Sequence, residues 1–264
     1  MFSTPFISDL FAPFTGFKKV FLMVEKRDIA GALRGKTCYV LFSGGKDSLC
    51  ALALVKEIGD EVGAPVRAVH VDTTVSLPEN LEYVKDVCRR LNVPLDVVSP
   101  EEDFFSMAKR FGAPRFNARW CCYALKIKPI RDYLRSRPQG KIVADGIRRG
   151  ESLKRREYEW IWYDRRHFKC FVIHPIIDWS EKQALDFLRK RGLPLNPLYR
   201  RFRRAAECWC GVFKTRRDFE VLRAHSPELF RKLLDVERSF RRGSFGKHFY
   251  LRDIEKQRML DEFL

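Results

Sequence analysis

The chain has 264 residues, of which 45% are hydrophobic and 13% aromatic, and its 51 lysines and arginines outnumber its 34 aspartates and glutamates. This composition excludes a disordered or collagen-like chain and provides enough apolar residues for one large domain or two small ones. The apolar runs are much shorter than the ~20 residues that cross a bilayer, so we expect no membrane segment. Only seven residues are Asn or Gln, which is typical of a protein from a hot habitat.

Strands and helices alternate in the predicted order of elements. Short apolar runs predict strands at 37–42, 66–71, 95–98 and 141–145. Helical periodicity predicts helices at 18–33, 49–58, 78–91, 101–111 and 123–135. Strands separated by helices indicate an α/β fold with a doubly wound, mostly parallel sheet.

The last part of the chain has a different pattern. Residues 160–173 predict edge strands, 180–191 predict a helix with Ser180 as its N-cap, and the sequence beyond 215 is helical and basic. We therefore divide the chain into a helical N-terminal segment (1–35), an α/β domain (36–214) and a basic helical C-terminal extension (215–264).

Residues 43–48, with the sequence Ser-Gly-Gly-Lys-Asp-Ser, join the first predicted strand to a helix. Gly44 and Gly45 allow a tight turn, and the N–H groups of the loop and of the following helix N-terminus point at one place, as in a pyrophosphate site. Lys46 adds a charge for phosphate oxygens, Ser43 and Ser48 add hydroxyl donors, and Asp47 can hold Mg²⁺. The alternative is a capped turn without a ligand. Neither the Walker nor the dinucleotide glycine pattern is present.

This hexapeptide resembles the PP-loop of the ATP pyrophosphatase superfamily. The resemblance implies a Rossmann-like PP-loop fold for 36–214, binding of Mg-ATP, and cleavage of ATP between the α and β phosphates. It also implies that a substrate is adenylated and that AMP is then displaced.

Four further segments resemble the phosphoadenosine phosphosulfate (PAPS) reductase family in the same order along the chain. They are 71–79, with Asp72 at the strand end near the adenosine; 119–129, with its tandem cysteines; the basic loop 146–155; and 174–199, which contains His-Pro-Ile and Asn-Pro-Leu-Tyr. The resemblance implies that Asp72 and Gly146 line the nucleotide site. Arg148 or Arg149 is expected to contact the α-phosphate or the adenylated intermediate.

Two departures from the family pattern bear on the activity. Reductases of the family have a relaxed phosphate loop without the Lys-Asp pair, whereas Lys46 and Asp47 are both present here. The reductases also carry a nucleophilic cysteine near the C-terminus, and this sequence has no cysteine after Cys210. Both departures favour ATP cleavage over reduction.

Four of the eight cysteines form two pairs, Cys121 with Cys122 and Cys208 with Cys210. In iron–sulfur members of the family, a tandem pair and a later pair hold a 4Fe-4S cluster, so the resemblance implies three or four cluster ligands here. The later pair is one residue closer than in the family, and zinc, a disulfide or simple burial are the alternatives. We expect the single cysteines 38, 50, 88 and 170 to be core residues.

The positive charge is concentrated in the second part of the chain. Residues 1–108 have a net charge of −3 and residues 109–264 a net charge of +20. Arg149, Arg155 and Arg156 are candidate phosphate contacts for RNA, with nearby aromatic residues (Trp120, Tyr158, Trp160, Trp162 and Tyr163) stacking on bases or packing in the core. Arginines at 200, 201, 203 and 204 precede Cys208, which predicts a polyanion beside the cysteines.

These observations predict a cytoplasmic enzyme that binds an adenine nucleotide and adenylates an acceptor, RNA or tRNA in particular, for iron–sulfur-assisted sulfur transfer. One alternative is a PAPS or adenylyl-sulfate reductase that releases sulfite. The other is a nucleotide- or redox-responsive nucleic-acid-binding protein without turnover.

Overall fold

A computed structural model describes residues 24–202, 208–240, 243–246 and 249–261, with side chains up to residue 256. Its centre is a six-stranded sheet in the order β3-β2-β1-β4-β6-β5. The strands are β1 (Thr37–Leu41), β2 (Val66–Val71), β3 (Leu95–Val98), β4 (Lys141–Ala144), β5 (Ile161–Asp164) and β6 (Cys170–Ile173). Every neighbouring pair is parallel except β5 with β6, which confirms the predicted doubly wound, mostly parallel sheet.

The prediction of edge strands at 160–173 is only half right. β5 is an edge strand, but β6 lies between β4 and β5. The reason is burial: Val172 and Ile173 are covered on opposite faces of the sheet, which an edge position would not require. In β5 the ring of Tyr163 is exposed, as expected of an edge.

The helices that follow or flank the strands are α1 (Lys26–Leu33), α2 (Lys46–Val62), α3 (Pro78–Arg90), α4 (Phe104–Phe111), α5 (Trp120–Cys122), α6 (Lys128–Arg135), α7 (Glu181–Lys190), α8 (Arg216–His225), α9 (Pro227–Arg238) and α10 (Leu251–Asp261). A π-helical turn at Tyr123–Ile127 joins α5 to α6. Short 3-10 turns occur at Arg149–Glu151, Leu153–Glu157 and Pro197–Arg200.

Several helix boundaries differ from the predictions for local reasons. The predicted helix at 101–111 begins only at Phe104, because the Asp103 carboxylate accepts hydrogen bonds from the N–H groups of Phe105 and Ser106. The predicted helix at 18–33 begins at Lys26, and its part at 18–23 lies outside the described residues. The helix predicted at 123–135 begins earlier, so Cys121 and Cys122 are helical. Ser180 caps α7 as predicted.

Two regions of core position the rest of the chain. Apolar residues from α1, α2, α3 and α7 cover one face of the sheet, and α6 covers the other. A separate core joins α8 and α9 to α4 and to both cysteine pairs, with Trp209 and Phe219 fully buried in it. In the described part of 215–264, the basic residues therefore lie on helices that have their own apolar face. No helix in the described parts of the chain is long and apolar enough to cross a membrane.

A buried carboxylate joins α9 to α10. Glu237 is 5% exposed, and its two oxygens accept hydrogen bonds from the N–H groups of Phe245 (3.0 Å) and Leu251 (2.6 Å). Burial raises the pKa of Glu237, against the opposing effect of these backbone donors.

We expect Glu237→Ala to lower the free energy of unfolding by about 1–3 kcal/mol, because buried N–H groups lose their acceptor. Chemical denaturation measures this, with the exposed Glu228→Ala as control.

Since the folded-state pKa of Glu237 is raised, the folded chain binds the proton of this carboxyl group more tightly than the unfolded chain does. The contribution of Glu237 to stability should therefore fall as pH rises from the ordinary glutamate pKa through the folded value, and this component should be absent in Glu237→Gln. Equal stability of Glu237→Ala and the parent chain would contradict the assignment.

Candidate functional site

The loop between β1 and α2 has the geometry of an anion cradle. Gly44 has a φ of +85°, and a Cβ at this position would lie 2.4 Å from the Asn80 Oδ1 atom. Gly45 is the N-cap of α2 and provides no side-chain acceptor for the first N–H groups of this 17-residue helix. The partial positive charge of the helix N-terminus and its N–H groups therefore face the loop.

The two serines of the loop hold its shape in this structure. Their hydroxyl oxygens lie 3.0 Å apart, and the Ser48 hydroxyl also donates to the Gly45 carbonyl at 2.9 Å. The Ser43 N–H donates to the Ser48 Oγ atom at 3.3 Å. The loop is thus prearranged by its own side chains.

Charged residues surround the first turn of α2. The Lys46 ammonium is 3.1 Å from the Asp47 carboxylate and 3.3 Å from that of Glu181, and Arg148 Nε donates to the other Asp47 oxygen at 2.8 Å. Burial by itself would lower the pKa of Lys46, but Asp47, Tyr199 and Glu181 raise it overall, so the ammonium stays charged. The predicted Mg²⁺ ligand Asp47 accepts hydrogen bonds from two cations in this arrangement.

The basic loop after β4 contacts the first turn of α2 through Gly146. A Cβ on Gly146 would lie 2.5 Å from the Asp47 carbonyl carbon and the Ser48 nitrogen, so only glycine permits this approach. Arg148 is 6% exposed and also donates to the Trp179 carbonyl at 3.3 Å. Arg148 therefore lies beside the first turn of α2, and its contact with an α-phosphate stays a prediction.

Arg149 is held by a second set of partners. Its guanidinium forms an ion pair with Asp178 and donates to the Tyr158 carbonyl at 3.0 Å and 3.2 Å. Burial lowers the pKa of Arg149. Arg148, rather than Arg149, contacts the first turn of α2.

Asp72 lies at the carboxyl end of β2, next to the strand that precedes the loop. Its carboxylate accepts hydrogen bonds from the Thr74 N–H at 2.8 Å and from the Ser76 hydroxyl at 3.4 Å. Thr74 has a φ of +61°. Asp72 therefore shapes the turn after β2 at the same edge of the sheet as residues 43–48.

Three site residues received no role in the sequence analysis. The Asn196 amide donates to the Gly44 carbonyl (3.2 Å) and to Asn80 Oδ1 (2.8 Å), and the Asn80 amide donates to the Ser43 carbonyl (3.1 Å). The Lys46 N–H donates to the Tyr199 hydroxyl at 3.1 Å. The chain has only seven Asn and Gln residues, and two of them, Asn80 and Asn196, are buried beneath this loop. The presence of an amide in a chain that has so few was the signal that the sequence offered for these two positions.

The structure brings both cysteine pairs together. Cys121, Cys122, Cys208 and Cys210 lie in the same core, where Cys121 interacts with Cys122 and Cys210, and Cys208 interacts with Cys210. Hydrogen bonds from Cys121 and Cys208 lower the pKa of Cys210, and the thiol of Cys121 lowers the pKa of Cys122. Among the described residues, no three or more His, Cys, Asp or Glu side chains are arranged to hold a metal ion.

The chemistry of this donor set nevertheless fits a thiolate-held centre. Both cysteine pairs lie in the same core, and the positive charge of Lys126 acts on Cys122, Cys208 and Cys210, although the interaction with Cys210 and burial raise the pKa of Cys208 overall. All eight cysteines are free thiols, so the disulfide alternative is not formed. The four single cysteines are buried as predicted, and burial raises the pKa of Cys88 to about 12.

A backbone contact connects the cysteines to the nucleotide edge of the sheet. The Trp209 N–H, between Cys208 and Cys210, donates to the Val75 carbonyl at 2.8 Å. Val75 is three residues beyond Asp72. The later cysteine pair is therefore fixed to the turn that follows β2.

The stacking role considered for the aromatic residues is wrong for three of them. Trp160, just before β5, packs with Ile161 against the core on one face of the sheet, and Trp162 packs against the core on the other face. Trp120 stacks on Phe104 within the C-terminal core. Of the predicted arginines before Cys208, Arg203 and Arg204 lie outside the described residues.

A family model described as the phosphoadenosine phosphosulfate reductase domain matches residues 37–215. The chain belongs to this PAPS reductase domain family. The family lies within the adenine nucleotide alpha hydrolase superfamily, as the sequence motifs predicted.

Individual relatives share about 30% sequence identity or less with this chain. An uncharacterised protein of Methanocaldococcus jannaschii is 27% identical over 75% of this chain and 47% of its own length. An adenosine 5′-phosphosulfate reductase of Bacillus mycoides is 30% identical over 60% of this chain and 65% of its own. The chain thus spans less than half the length of the archaeal relative. PAPS reductase from Candida auris, solved as a phosphate complex, has a TM-score of 0.51 at 17% identity, covering 67% of this chain and 84% of its own, and shares the fold.

We expect Gly146→Ala to lower the free energy of unfolding by about 1–3 kcal/mol, because its Cβ would overlap the backbone of α2. Thermal unfolding measures the effect. Gly31→Ala is the matched control, since nothing lies within 4 Å of a Cβ in that helix and alanine should stabilise it by about 0.5–1 kcal/mol. Equal melting temperatures for Gly146→Ala and the parent chain would contradict the close approach.

Proposed function

We propose that this protein is an ATP-cleaving enzyme that adenylates an acceptor and then transfers sulfur to it, and that the acceptor is an RNA. The main support is the grouping of Lys46, Asp47 and Arg148 at the N-terminus of α2, over a loop that presents backbone N–H groups. In a sulfonucleotide the sulfate group is already joined to AMP through an oxygen, so its reduction requires no cleavage of ATP to pyrophosphate. Membership of the family supports binding of an adenine nucleotide.

In the proposed first step, an oxygen of the acceptor attacks the α-phosphorus of ATP, and the bond to the β-phosphate oxygen breaks. The electron pair leaves with pyrophosphate, whose charge is stabilised by Lys46 and by the N–H groups at the start of α2. Arg148 balances the charge that develops on the α-phosphate. Asp47 would hold Mg²⁺ once its cationic partners turn to the phosphates.

The second step replaces the adenylated oxygen with sulfur. A sulfur nucleophile attacks the acceptor carbon, the carbon–oxygen bond breaks, and AMP leaves with the electron pair. A cluster bound by Cys121, Cys122, Cys208 and Cys210 would hold the sulfide-level sulfur that acts as the nucleophile, and zinc is the alternative occupant of these cysteines. The eight free thiols are consistent with a cytoplasmic protein.

A second candidate function is reduction of adenylyl sulfate or PAPS to sulfite. It is favoured by the bacterial relatives, which are named as adenosine 5′-phosphosulfate reductases. The two functions differ in their products, because ATP cleavage gives AMP and pyrophosphate whereas reduction gives sulfite. A binding protein without turnover would give none of these.

We expect Lys46→Ala to reduce AMP and pyrophosphate formation at least about 100-fold, because the charge that stabilises the leaving group is lost. Product analysis by chromatography, with ATP and bulk RNA under anaerobic conditions, measures this rate. Lys56→Ala is the control, because Lys56 lies on the same helix but pairs with Asp60. Retained activity in Lys46→Ala would refute the assignment, and sulfite production from a sulfonucleotide would favour the reductase.

We expect protein purified anaerobically to contain about four iron and four sulfide per chain. Cys121→Ser and Cys210→Ser should each lose most of both, whereas Cys88→Ser, at a buried thiol within α3, should keep them. Metal and sulfide analysis with visible absorption spectra provides the measurement. Zinc without sulfide would identify the alternative occupant, and metal content unchanged in the Cys121 and Cys210 variants would contradict a centre at these cysteines.

A further inference from the structure

Two large aromatic side chains are exposed beside the cysteines. Phe116 is 68% exposed and Phe213 is 52% exposed, yet they come from segments almost a hundred residues apart. Their rings meet edge to face with centroids 6.0 Å apart. Two rings as exposed as these bury little apolar surface, so packing of the core does not explain their position.

The backbone holds Phe116 outward. Arg115 and Ala118 exchange two backbone hydrogen bonds, at 3.0 Å and 3.3 Å, which close a tight turn with Phe116 and Asn117 at its tip. Residues 115–118 are all exposed. Phe116 therefore stands at the tip of a closed turn.

Arg119 connects the aromatic pair to the thiols. Its guanidinium carbon lies 5.3 Å from the Phe116 ring centroid and 5.5 Å from that of Phe213, within range of cation–π attraction to both. Arg119 is three residues before Cys122, whose thiol is only partly buried, and Phe213 is three residues after Cys210. The exposed rings therefore belong to the two segments that carry the cysteine pairs.

The two segments that carry these rings are predominantly basic. Residues 109–131 contain seven basic and no acidic residues, and residues 208–217 contain three basic and no acidic residues, although Arg110, Lys128 and Arg131 pair with carboxylates outside these ranges. Such a surface complements a polyanion, and phenylalanine rings next to arginine are suited to stacking an unpaired base. Duplexes hide their base faces, whereas a single strand exposes them.

We propose that Phe116, Arg119 and Phe213 form a binding site for an unpaired nucleobase of a single-stranded nucleic acid, placing that strand beside Cys122. This inference rests on the proposed function for its purpose, since it identifies where the acceptor docks. This surface is different from that of the β5–β6 hairpin, where Trp160, Trp162 and Tyr163 were the earlier candidates. A protein partner is the competing occupant of an aromatic and arginine surface.

The test is the affinity of the full chain for fluorescein-labelled 12-nucleotide probes, measured by fluorescence anisotropy without ATP. The probes are an unpaired RNA, a DNA of the same sequence, and the RNA duplex. We expect the single strands to bind more tightly than the duplex, and the double variant Phe116→Ala with Phe213→Ala to weaken single-strand binding about ten- to a hundred-fold. The single-stranded RNA and DNA arms identify which backbone the site takes.

The matched control is the double variant Tyr163→Ala with Phe171→Ala. These rings are also an exposed edge-to-face pair, 5.2 Å apart and 45% and 44% exposed, but they lie on the β5–β6 hairpin. The control should bind as the parent chain does, and both double variants should melt at the parent temperature. An equal loss in the control, unchanged binding in the Phe116 and Phe213 variant, or no binding to any single strand would overturn the proposal.

Because the probes are tested without ATP, this result is independent of ATP cleavage. Single-strand binding that depends on Phe116 and Phe213 in a chain that forms no AMP would refute the proposed function and leave the binding site standing. AMP formation with no probe binding would do the reverse.

Discussion

The close contact between Gly146 and the first turn of α2 is the constraint on which the candidate site depends. It brings the loop after β4 against the loop after β1, with no room for a Cβ between them. Arg148 can then reach Asp47, which already pairs with Lys46. Two cations and two carboxylates, those of Asp47 and Glu181, thus meet at a helix N-terminus that itself favours anions. The N–H groups of this helix N-terminus and two cations that can turn to phosphate oxygens are what make the loop suitable for a polyphosphate.

The C-terminal helices give the site its second component. Their core contains Trp209, and the backbone of Trp209 is bonded to Val75 at the nucleotide edge of the sheet. The cysteine pairs are therefore fixed relative to the phosphate loop by packing and by one backbone hydrogen bond. Under the proposed function, this arrangement would let the basic C-terminal segment and the α/β domain form one active site, with the acceptor approaching over Phe116 and Phe213.

Local patterns predicted much of this structure, and the failures have a common physical cause. β2 and β3 were predicted with their observed bounds, and the turn from β1 into α2 was predicted from six consecutive residues, whose binding of phosphate stays a prediction. The contact of Tyr199 with Lys46 joins residues 153 positions apart, and that of Asn196 with Asn80 joins residues 116 apart. No local periodicity encodes such contacts. The exposed pair Phe116 and Phe213 was missed for the same reason. The role of Trp160 and Trp162 was left undecided, because alternating residues fit either packing in the core or exposure at the surface.

The central claim is that residues 43–48 bind the triphosphate of ATP at the N-terminus of α2. A crystal structure with the non-cleavable α,β-methylene analogue of ATP and Mg²⁺ tests it most directly. We expect β- and γ-phosphate oxygens on the N–H groups of Gly45 and Lys46, with the Tyr199 hydroxyl displaced from the Lys46 N–H and Arg148 turned toward the α-phosphate. A triphosphate bound at another edge of the sheet, or the Asp47–Arg148 and Lys46–Tyr199 contacts unchanged in the complex, would contradict it.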